Sequence, residues 1–424
     1  MKRGYKYRIY PTEEQRVLIN KTVGCARLMY NLLLDDYKQQ LNSRTEDNKP
    51  KVRLVTYFKS EYPFLNEVDS LALMNARTHF SDALTNYFKS KKGERKGKKM
   101  RFPKPHKKHK CKWSYTTNNQ NGTVRVDHDK QLIKLPKLGW VKIKTHRQFN
   151  GEITSCTVVV TRSNEYYVSL LIDTIEKHNV KKCNMDNLRV VGLDVSMSKF
   201  VVSSDTDDNG ITKTKYVRQY RKAEKRRRRL NRALSRKVLG SNNRNKVRIR
   251  LAACDKHIAN RRLDFCHKLS HHYASTYDVI MLEDINMQEL SRTLHLGKSV
   301  YDLGIGLFRN FLSYKCKEEG SVIIYVDKWF ASSKTCSCCG NVNHGLRLSD
   351  RKWVCSECST EHDRDYNASY NLREFFYKNI LNTSGTLGIN ACGDTASTLM
   401  EALMQVVSLK QEAPSFRWGV SSQK

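Results

Sequence analysis

The sequence lacks any long apolar run. Its apolar stretches, such as residues 167–172, have the length of a single strand, and none approaches the ~20 residues that cross a bilayer. The first residues also lack the charged, apolar and small-residue pattern of a secretory signal. We therefore expect no membrane partner and a cytoplasmic, nucleoid-associated protein.

Acidic residues are scarce relative to basic ones. The chain has 42 Asp and Glu against 77 Lys and Arg, which gives a net charge of +35. This excess points to a polyanionic partner such as nucleic acid. If ten of these cations met phosphates, log affinity would fall with log salt at a slope of about −9. Because 39% of the 424 residues are hydrophobic, the chain can form the cores of roughly two to four domains.

The thirteen cysteines do not form the framework of a secreted disulfide protein, because eight are scattered and five lie within residues 336–358. In that segment Cys336, Cys339, Cys355 and Cys358 form two Cys-x2-Cys pairs. Each pair places two thiolates on one knuckle, and two knuckles complete a tetrahedron around Zn2+. We predict one structural zinc ion there, with Cys338 a bystander unless the ligand register is shifted.

Two apolar runs each end in an acidic residue. Asp194 follows Val190-Val-Gly-Leu193, and Glu283 follows Val279-Ile-Met-Leu282, so two buried strands each deliver a carboxylate to the edge of a sheet. Asp365 comes just after the cysteines, at the start of a predicted helix. Three converging carboxylates can hold two divalent cations, which clamp a phosphodiester for attack by water. The pattern predicts hydrolysis of nucleic acid.

Other carboxylates compete for this role. The chain has enough acidic residues for the three to be ordinary surface groups, although the apolar runs before Asp194 and Glu283 argue against that. Asp284 and Asp363 are neighbours of the predicted ligands and remain alternatives. A further cluster reads as a solvated turn and comprises Asp205, Asp207 and Asp208.

The pattern of elements predicts an α+β multidomain protein. Strands at residues 1–10 and 102–173 form a small β-barrel, and helices with a basic arm, at 11–101, are inserted after its first strand. Residues 174–188 form a linker to a second half. There we expect a basic helical hairpin at 218–272, inserted in the sheet that carries the carboxylates.

Basic and aromatic clusters mark candidate contacts to nucleic acid. The run of four arginines in the hairpin could grip a duplex, although it could also be a solvated helix face or a localisation signal. The first strand, which contains Tyr5 and Arg8, could stack on bases or belong to the core. The predicted contacts are Arg226, Arg227, Arg228, Arg229, Lys98, Lys99, Arg101, Tyr5 and Arg8.

Several motifs resemble those of the TnpB proteins of bacterial insertion sequences, which are relatives of compact type V CRISPR effectors. The resemblance covers nearly the whole chain. It rests on Tyr5-Lys-Tyr-Arg-Ile-Tyr-Pro11, Gly24-Cys-Ala-Arg27 with Tyr30-Asn31, Val191-Gly-Leu-Asp194, Leu282-Glu-Asp-Ile-Asn286, Trp329-Phe-Ala-Ser-Ser-Lys-Thr-Cys-Ser-Cys-Cys-Gly340, His362-Asp-Arg-Asp-Tyr-Asn-Ala368 and Ala391-Cys-Gly-Asp394.

The resemblance implies an RNA-guided DNA endonuclease that cuts beside a short flanking motif and supports maintenance of the transposon. It implies that Asp194, Glu283 and Asp365 bind two catalytic Mg2+ ions. The partners would be a guide RNA derived from the mobile element and double-stranded target DNA, in a monomeric ribonucleoprotein in the bacterial cytoplasm. Base pairing would carry most of the sequence specificity.

The resemblance also gives the domains their expected roles. The barrel resembles a wedge domain, and the inserted helices resemble a recognition lobe that grips the guide–target heteroduplex. A RuvC-like nuclease domain of RNase H fold is expected at 189–332 and 363–383, with an inserted zinc ribbon at 333–362. A C-terminal tail at 384–424 has no assigned chemistry.

Two segments depart from the family pattern and leave loop geometry and substrate handling open. Val195-Ser-Met-Ser-Lys199 differs from the usual sequence after the first aspartate, and Tyr301-Asp-Leu-Gly-Ile-Gly306 lacks a tryptophan. Neither removes a predicted metal ligand. The alternative functions are a guide-dependent DNA-binding repressor, a conventional transposase and a CRISPR effector.

Overall fold

A computed structural model gives the fold as two compact units, residues 1–177 and 178–424, which we treat separately. It describes residues 2–43, 50–95, 97–108, 111–174, 188–196, 199–205, 213–214, 219–284, 302–327, 329–347 and 349–381. The predicted linker, apart from its end residues, and the whole predicted tail lie outside this set, as do Asp207, Asp208 and the motif at 391–394.

The first unit is built on one antiparallel sheet of seven strands, ordered β2-β6-β7-β1-β5-β4-β3. Tyr7 and Ile9 of the central strand are buried, because alternate residues of a strand face the core. The sheet is an open half-barrel with β2 and β3 at its edges, whereas the sequence predicted a barrel. The strands are β1 Lys2–Tyr10, β2 Trp113–Asn118, β3 Arg125–Asp127, β4 Leu132–Leu135, β5 Gly139–Lys144, β6 Glu152–Val160 and β7 Tyr166–Asp173.

Three helices follow β1 in the chain: α1 Glu13–Asn42, α2 Val55–Glu61 and α3 Ser70–Lys91. The first begins with a capping box, in which Gln15 N donates to Thr12 Oγ1 at 3.3 Å and Thr12 N donates to Gln15 Oε1 at 3.0 Å. This capping box fixes the start of α1 at Glu13. The helices and the sheet share a single apolar core.

The second unit contains a mixed sheet of five strands, ordered β10-β9-β8-β11-β12. Strands β8, β11 and β12 are parallel, while β9 returns antiparallel to β8 and β10 is antiparallel to β9. Strands β8 and β9 pair through Leu193 opposite Ser203 and Asp194 opposite Val202. The strands are β8 Val190–Asp194, β9 Val201–Ser203, β10 Lys213–Thr214, β11 Val279–Glu283 and β12 Val322–Val326.

Helices cover both faces of this sheet, which explains why its central strands read as continuous apolar runs. One core combines residues of β8, β9 and β11 with helices α5 and α6, and another combines β8, β11 and β12 with helix α7. The helices are α4 Gln219–Ser235, α5 Asn242–Thr276, α6 Ile305–Glu319 and α7 Arg364–Phe376.

A small hairpin of β13 Lys352–Val354 and β14 Glu361–Asp363 lies just before α7. The cysteine segment, residues 336–358, includes β13 and ends before β14. No helix in the described part of the chain is both long and apolar enough to span a membrane.

Candidate metal and nucleic-acid sites

Two neighbouring parallel strands bring Asp194 and Glu283 to the same edge of the sheet. Leu193 of β8 pairs with Leu282 of β11, and each carboxylate is the next residue along its strand. Parallel neighbours lie about 4.8 Å apart, so the two side chains start from adjacent positions. The four residues before each are buried, while the carboxylates themselves are half-buried.

Helix α7 reaches this edge because its backbone contacts β8 at Gly192. A Cβ atom there would overlap the Ser369 carbonyl oxygen and lie 2.7 Å from Arg373 N, so only glycine permits the approach. Asp365 is one turn before Ser369, about 6 Å along the helix, and Asp194 is two residues after Gly192, about 6.6 Å along the strand. Because these two distances from the contact at Gly192 are nearly equal, the start of α7 lies beside the end of β8.

The electrostatics of Asp194 show that the three carboxylates are neighbours. Burial raises the pKa of Asp194, and the charges of Asp365 and then Glu283 raise it further, to about 7. Arg364 and Lys199 oppose this rise. Burial also raises the pKa of Glu283. Like charges held together in a half-buried pocket favour the binding of a cation.

Two basic side chains contact Asp365, which is itself only 5% exposed. Lys199 Nζ lies 3.3 Å from Oδ2, and Arg351 NH1 lies 3.4 Å from Oδ1. Among the described residues, the Lys199 ammonium is the only group found close to Oδ2. This buried oxygen therefore keeps lone pairs for a metal ion, which fits a metal ligand.

The neighbouring carboxylates have structural roles. Asp363 caps α7, because its Oδ1 accepts hydrogen bonds from the backbone N–H groups of Asp365 and Tyr366, both at 3.2 Å. Its Oδ2 lies 3.4 Å from Lys199 Nζ. Asp284 is exposed and pairs with Arg309 NH2 at 3.0 Å.

The carboxylates form a looser group than the cysteines. Among the described residues, the four cysteines alone make a set of three or more whose ligand atoms all lie within 4.8 Å of one another. Asp194, Glu283 and Asp365 are spread more widely, with Lys199 beside them. Their donors are all hard oxygen atoms, which are the ligands that Mg2+ prefers.

Cys336, Cys339, Cys355 and Cys358 converge from two knuckles. The sulfur atoms of Cys336 and Cys358 lie 3.5 Å apart, as do those of Cys339 and Cys355. A tetrahedral Zn2+ with bonds of about 2.3 Å needs sulfur separations of about 3.8 Å, so the geometry fits zinc. Cys338 is exposed and stands outside the group.

Hydrogen bonds shape this cysteine site. Gly340, with φ of 79°, donates its N–H to the Cys336 carbonyl oxygen at 2.9 Å and closes the first knuckle. Hydrogen bonding by Thr360 lowers the pKa of the Cys358 thiol to about 6, which favours the thiolate form that binds metal. His362, which is buried against Trp353, places Nε2 3.1 Å from Cys336 Sγ.

The four arginines of α4 do not share one environment. Arg227 Nε donates to Asp255 Oδ1 of α5 at 2.6 Å, so it holds the hairpin together. Arg228 pairs with Glu224 one turn earlier at 2.8 Å. Arg226 and Arg229 are exposed. Arg228 is exposed as well, so Arg226 and Arg229 differ from it in having no ion pair among the described residues.

The predicted contacts of the first unit also divide. Lys98, Lys99 and Arg101 are exposed in the basic arm. Arg8 is exposed on β1 and pairs with Glu165 at 3.2 Å. Tyr5 is half-buried and packs against Phe149 with ring centroids 5.5 Å apart, so the core holds much of its ring.

Sequence reasoning missed Lys199, Arg351 and two asparagines of α7, Asn367 and Asn371. Lys199 ends a segment that departs from the family pattern, which was the available signal. Asn367 and Asn371 stand four residues apart on one helical face, which marks a polar stripe. No spacing rule connects Arg351 to Asp365.

Three family models match the chain. Those described as "Helix-turn-helix domain" and "Probable transposase", both of the IS605 OrfB type, match residues 1–46 and 173–294. That described as "Cas12f1-like, TNB domain" matches residues 306–372. The second contains Asp194 and Glu283, and the third contains the four cysteines and Asp365.

Known proteins resemble the chain over most of its length. A Streptomyces pristinaespiralis protein named "Putative RNA-guided DNA endonuclease" is 32% identical over 411 residues, 93% of this chain and 92% of that protein. An Escherichia coli protein of the same name, with the suffix InsQ, is 25% identical over 87% and 91%. A structure described as "Cryo-EM structure of the Cas12f1-sgRNA-target DNA complex" has a TM-score of 0.54 at 13% identity, covering 88% and 98%, which shows a shared fold.

Proposed function

The chain belongs to the TnpB family, and we propose that it acts as an RNA-guided DNA endonuclease that hydrolyses phosphodiester bonds. The observation that carries this proposal is the position of Asp194 and Glu283 at the ends of the paired strands β8 and β11, with Asp365 at the start of α7. Burial and then the charges of Asp365 and Glu283 raise the pKa of Asp194. Relatives that are named RNA-guided DNA endonucleases support the same activity.

In this proposal the three carboxylates hold two Mg2+ ions. When bound, the ions activate water and stabilise the leaving oxygen of an in-line displacement. The chain's own residues prepare the site: Asp363 fixes the start of α7, and Gly192 lets that helix approach β8. Lys199 balances the negative charge and stands where a scissile phosphate would gain a cation.

The domain roles belong to the same proposal. The sheet of the second unit, with an antiparallel hairpin beside parallel strands and helices on both faces, supports a RuvC-like domain of RNase H fold. The cysteine segment supports an inserted zinc ribbon. The half-barrel and its helices would serve as wedge and recognition lobe, within the boundaries that the sequence predicts.

We assign the partners from charge and from family membership. The net charge of +35 and the exposed Arg226 and Arg229 suit a guide RNA and duplex target DNA. The structure that shares the fold is described as a complex of Cas12f1 with guide RNA and target DNA. We propose a monomeric ribonucleoprotein, active in the bacterial cytoplasm, whose guide is an RNA from the mobile element.

The test is cleavage by the complex as it assembles in cells. The chain is co-expressed with its flanking locus, purified, and given Mg2+ and a guide-matched plasmid library with randomised flanking bases. We expect depletion of one flanking motif by the wild type, and loss of cleavage by about a thousandfold or more in Asp194→Ala with RNA still bound. Asp284→Ala is the matched control and should cleave normally.

The other outcomes each identify a different function. Cleavage that survives Asp194→Ala would refute the assigned site. Bound RNA with target binding but no cleavage by the wild type would indicate a guided repressor. Action on element ends without any bound RNA would indicate a conventional transposase.

A further inference from the structure

Two asparagines of α7 bind the backbone of the zinc knuckle. Asn367 and Asn371 are one helical turn apart, and they are only 1% and 6% exposed. Asn367 Nδ2 donates to the Thr335 carbonyl oxygen at 2.7 Å, while Asn367 Oδ1 accepts from Ser337 N at 3.1 Å. Asn371 Nδ2 donates to the carbonyl oxygens of Ser332 at 2.8 Å and Thr335 at 2.7 Å.

These hydrogen bonds hold the chain on both sides of Cys336. Thr335 precedes this cysteine and Ser337 follows it, so the Asn367 amide spans the first ligand of the zinc site. All the groups bound by the two amides are backbone groups. The contact therefore depends on the path of the knuckle, which a zinc ion fixes, and not on its side chains.

The same helix carries the third carboxylate. Asp365 lies two residues before Asn367, and β14 runs directly into α7. The ribbon contacts this end of the helix a second time, because Arg364 N donates to the Arg351 carbonyl oxygen at 2.9 Å and the Arg351 guanidinium pairs with Asp365. Helix α7 is thus held by the ribbon through one face and by β8 through Gly192.

We propose that zinc in the ribbon positions Asp365, with Asn367 and Asn371 as positioning residues that transmit the order of the knuckle to the carboxylate site. The inference rests on the proposed function, in which Asp365 is a ligand of the catalytic metal. It assigns the ribbon a regulatory role: the carboxylate site binds its metal tightly only when the zinc site is filled. A buried amide that loses its backbone partner is left with unsatisfied hydrogen-bonding groups, so displacement of the knuckle disfavours the present position of α7.

The test measures metal binding and does not depend on cleavage. Mn2+ replaces Mg2+ as the probe, and free Mn2+ is followed by electron paramagnetic resonance in the full-length protein, first zinc-loaded and then zinc-stripped. We expect Mn2+ to bind about tenfold more weakly after zinc removal, within the range typical of coupled sites. Equal Mn2+ affinity in both forms of the wild type would overturn the inference.

Amide variants keep the test valid if zinc removal unfolds the ribbon. The double variant Asn367→Ala, Asn371→Ala should retain one zinc per chain and yet bind Mn2+ about tenfold more weakly, while Asn379→Ala, an exposed amide just after α7, should match the wild type. Native Mn2+ affinity in the zinc-loaded double variant would also overturn the inference.

A further variant separates this inference from the proposed function. Asp365→Ala should abolish the tight Mn2+ site whether or not zinc is bound. If Asp365→Ala binds Mn2+ normally, the proposed ligand set is wrong. If tight Mn2+ binding requires Asp365 but does not change with zinc removal or with loss of both amides, the proposed ligand set is supported and the regulatory role of the ribbon is refuted.

Discussion

Lys199 Nζ lies 3.3 Å from Asp365 Oδ2, so a lysine from the loop after β8 neutralises the carboxylate at the start of α7. The same ammonium group lies 3.4 Å from the helix-capping Asp363. A cation in this position stabilises the cluster before metal binds and opposes a divalent ion that comes to the same oxygen. The lysine therefore stabilises the metal-free site and destabilises the metal-bound site.

Replacement of this lysine should separate the two effects. Lys199→Met is expected to lower the Tm in EDTA and to tighten Mn2+ binding by about three- to tenfold, because one positive charge near the ions is removed. Calorimetry and Mn2+ titration check the two results. Lys268→Met, which removes an exposed lysine of α5, should change neither; weaker Mn2+ binding in Lys199→Met would contradict the charge argument.

The pKa of Asp194 predicts how stability depends on pH. The folded protein holds this proton up to a pKa of about 7, while the unfolded chain releases it near the ordinary aspartate pKa of 3.8. The folded state therefore binds more protons between these values, and its stability falls as the pH rises through this window. Asp194→Asn removes this loss, so without metal it should raise the Tm most above pH 7 and progressively less toward pH 4.

Thermal melts in EDTA from pH 4 to pH 8 test this expectation. Asp284→Asn is the control, because its exposed ion pair with Arg309 contributes at most about 1 kcal/mol. A Tm gain for Asp194→Asn that is the same at every pH would show that its cause is not the titration of Asp194.

Gly192→Ala should displace α7 from β8. The added methyl group would meet backbone atoms of Ser369 and Arg373, which cannot rotate away. We expect a loss of about 2–3 kcal/mol in the free energy of unfolding, together with weaker Mn2+ binding. Denaturant titration measures the loss.

Gly306→Ala provides the matched control. A Cβ at Gly306 of α6 has nothing within 4 Å, and alanine favours a helix over glycine by about 0.5–1 kcal/mol. This variant should be unchanged or more stable. A small effect of both substitutions would mean that α7 and β8 are less closely packed than described.

The arginines of α4 should differ in their effect on binding to nucleic acid. The double variant Arg226→Gln, Arg229→Gln removes exposed charge, so the slope of log affinity against log salt should become less steep by about 2. Arg227→Gln should instead loosen the hairpin, because it breaks the pair with Asp255. Filter binding at several salt concentrations and thermal melts distinguish the two.

The sequence predicted the local features of the site well, because they depend on short-range patterns. The apolar runs before Asp194 and Glu283 marked two buried strands, and the two Cys-x2-Cys pairs marked the cysteine site. Each follows from the chemistry of a few adjacent residues.

Contacts between residues that are distant in the chain could not be predicted from the sequence. No local sequence pattern predicts that Lys199 and Arg351 contact Asp365. Likewise, no pattern predicts that the Asn367 amide binds backbone groups of the cysteine knuckle. The sequence predicts a barrel and the sheet is a half-barrel, because alternation within strands reveals which residues face the core but not whether the edge strands pair. That outcome is decided by contacts between distant strands.

The contact between Gly192 and α7 joins two segments that the ribosome makes at different times. Strand β8 is synthesised well before Glu283, and Asp365 is synthesised later still. The three-carboxylate site therefore cannot be complete until α7 has been made. A chain that stops before Arg364 carries the half-barrel unit and the basic hairpin but lacks the element that covers Gly192. If the proposed site is correct, nascent and truncated copies would offer the basic hairpin to nucleic acid while they lack the third carboxylate needed for cleavage.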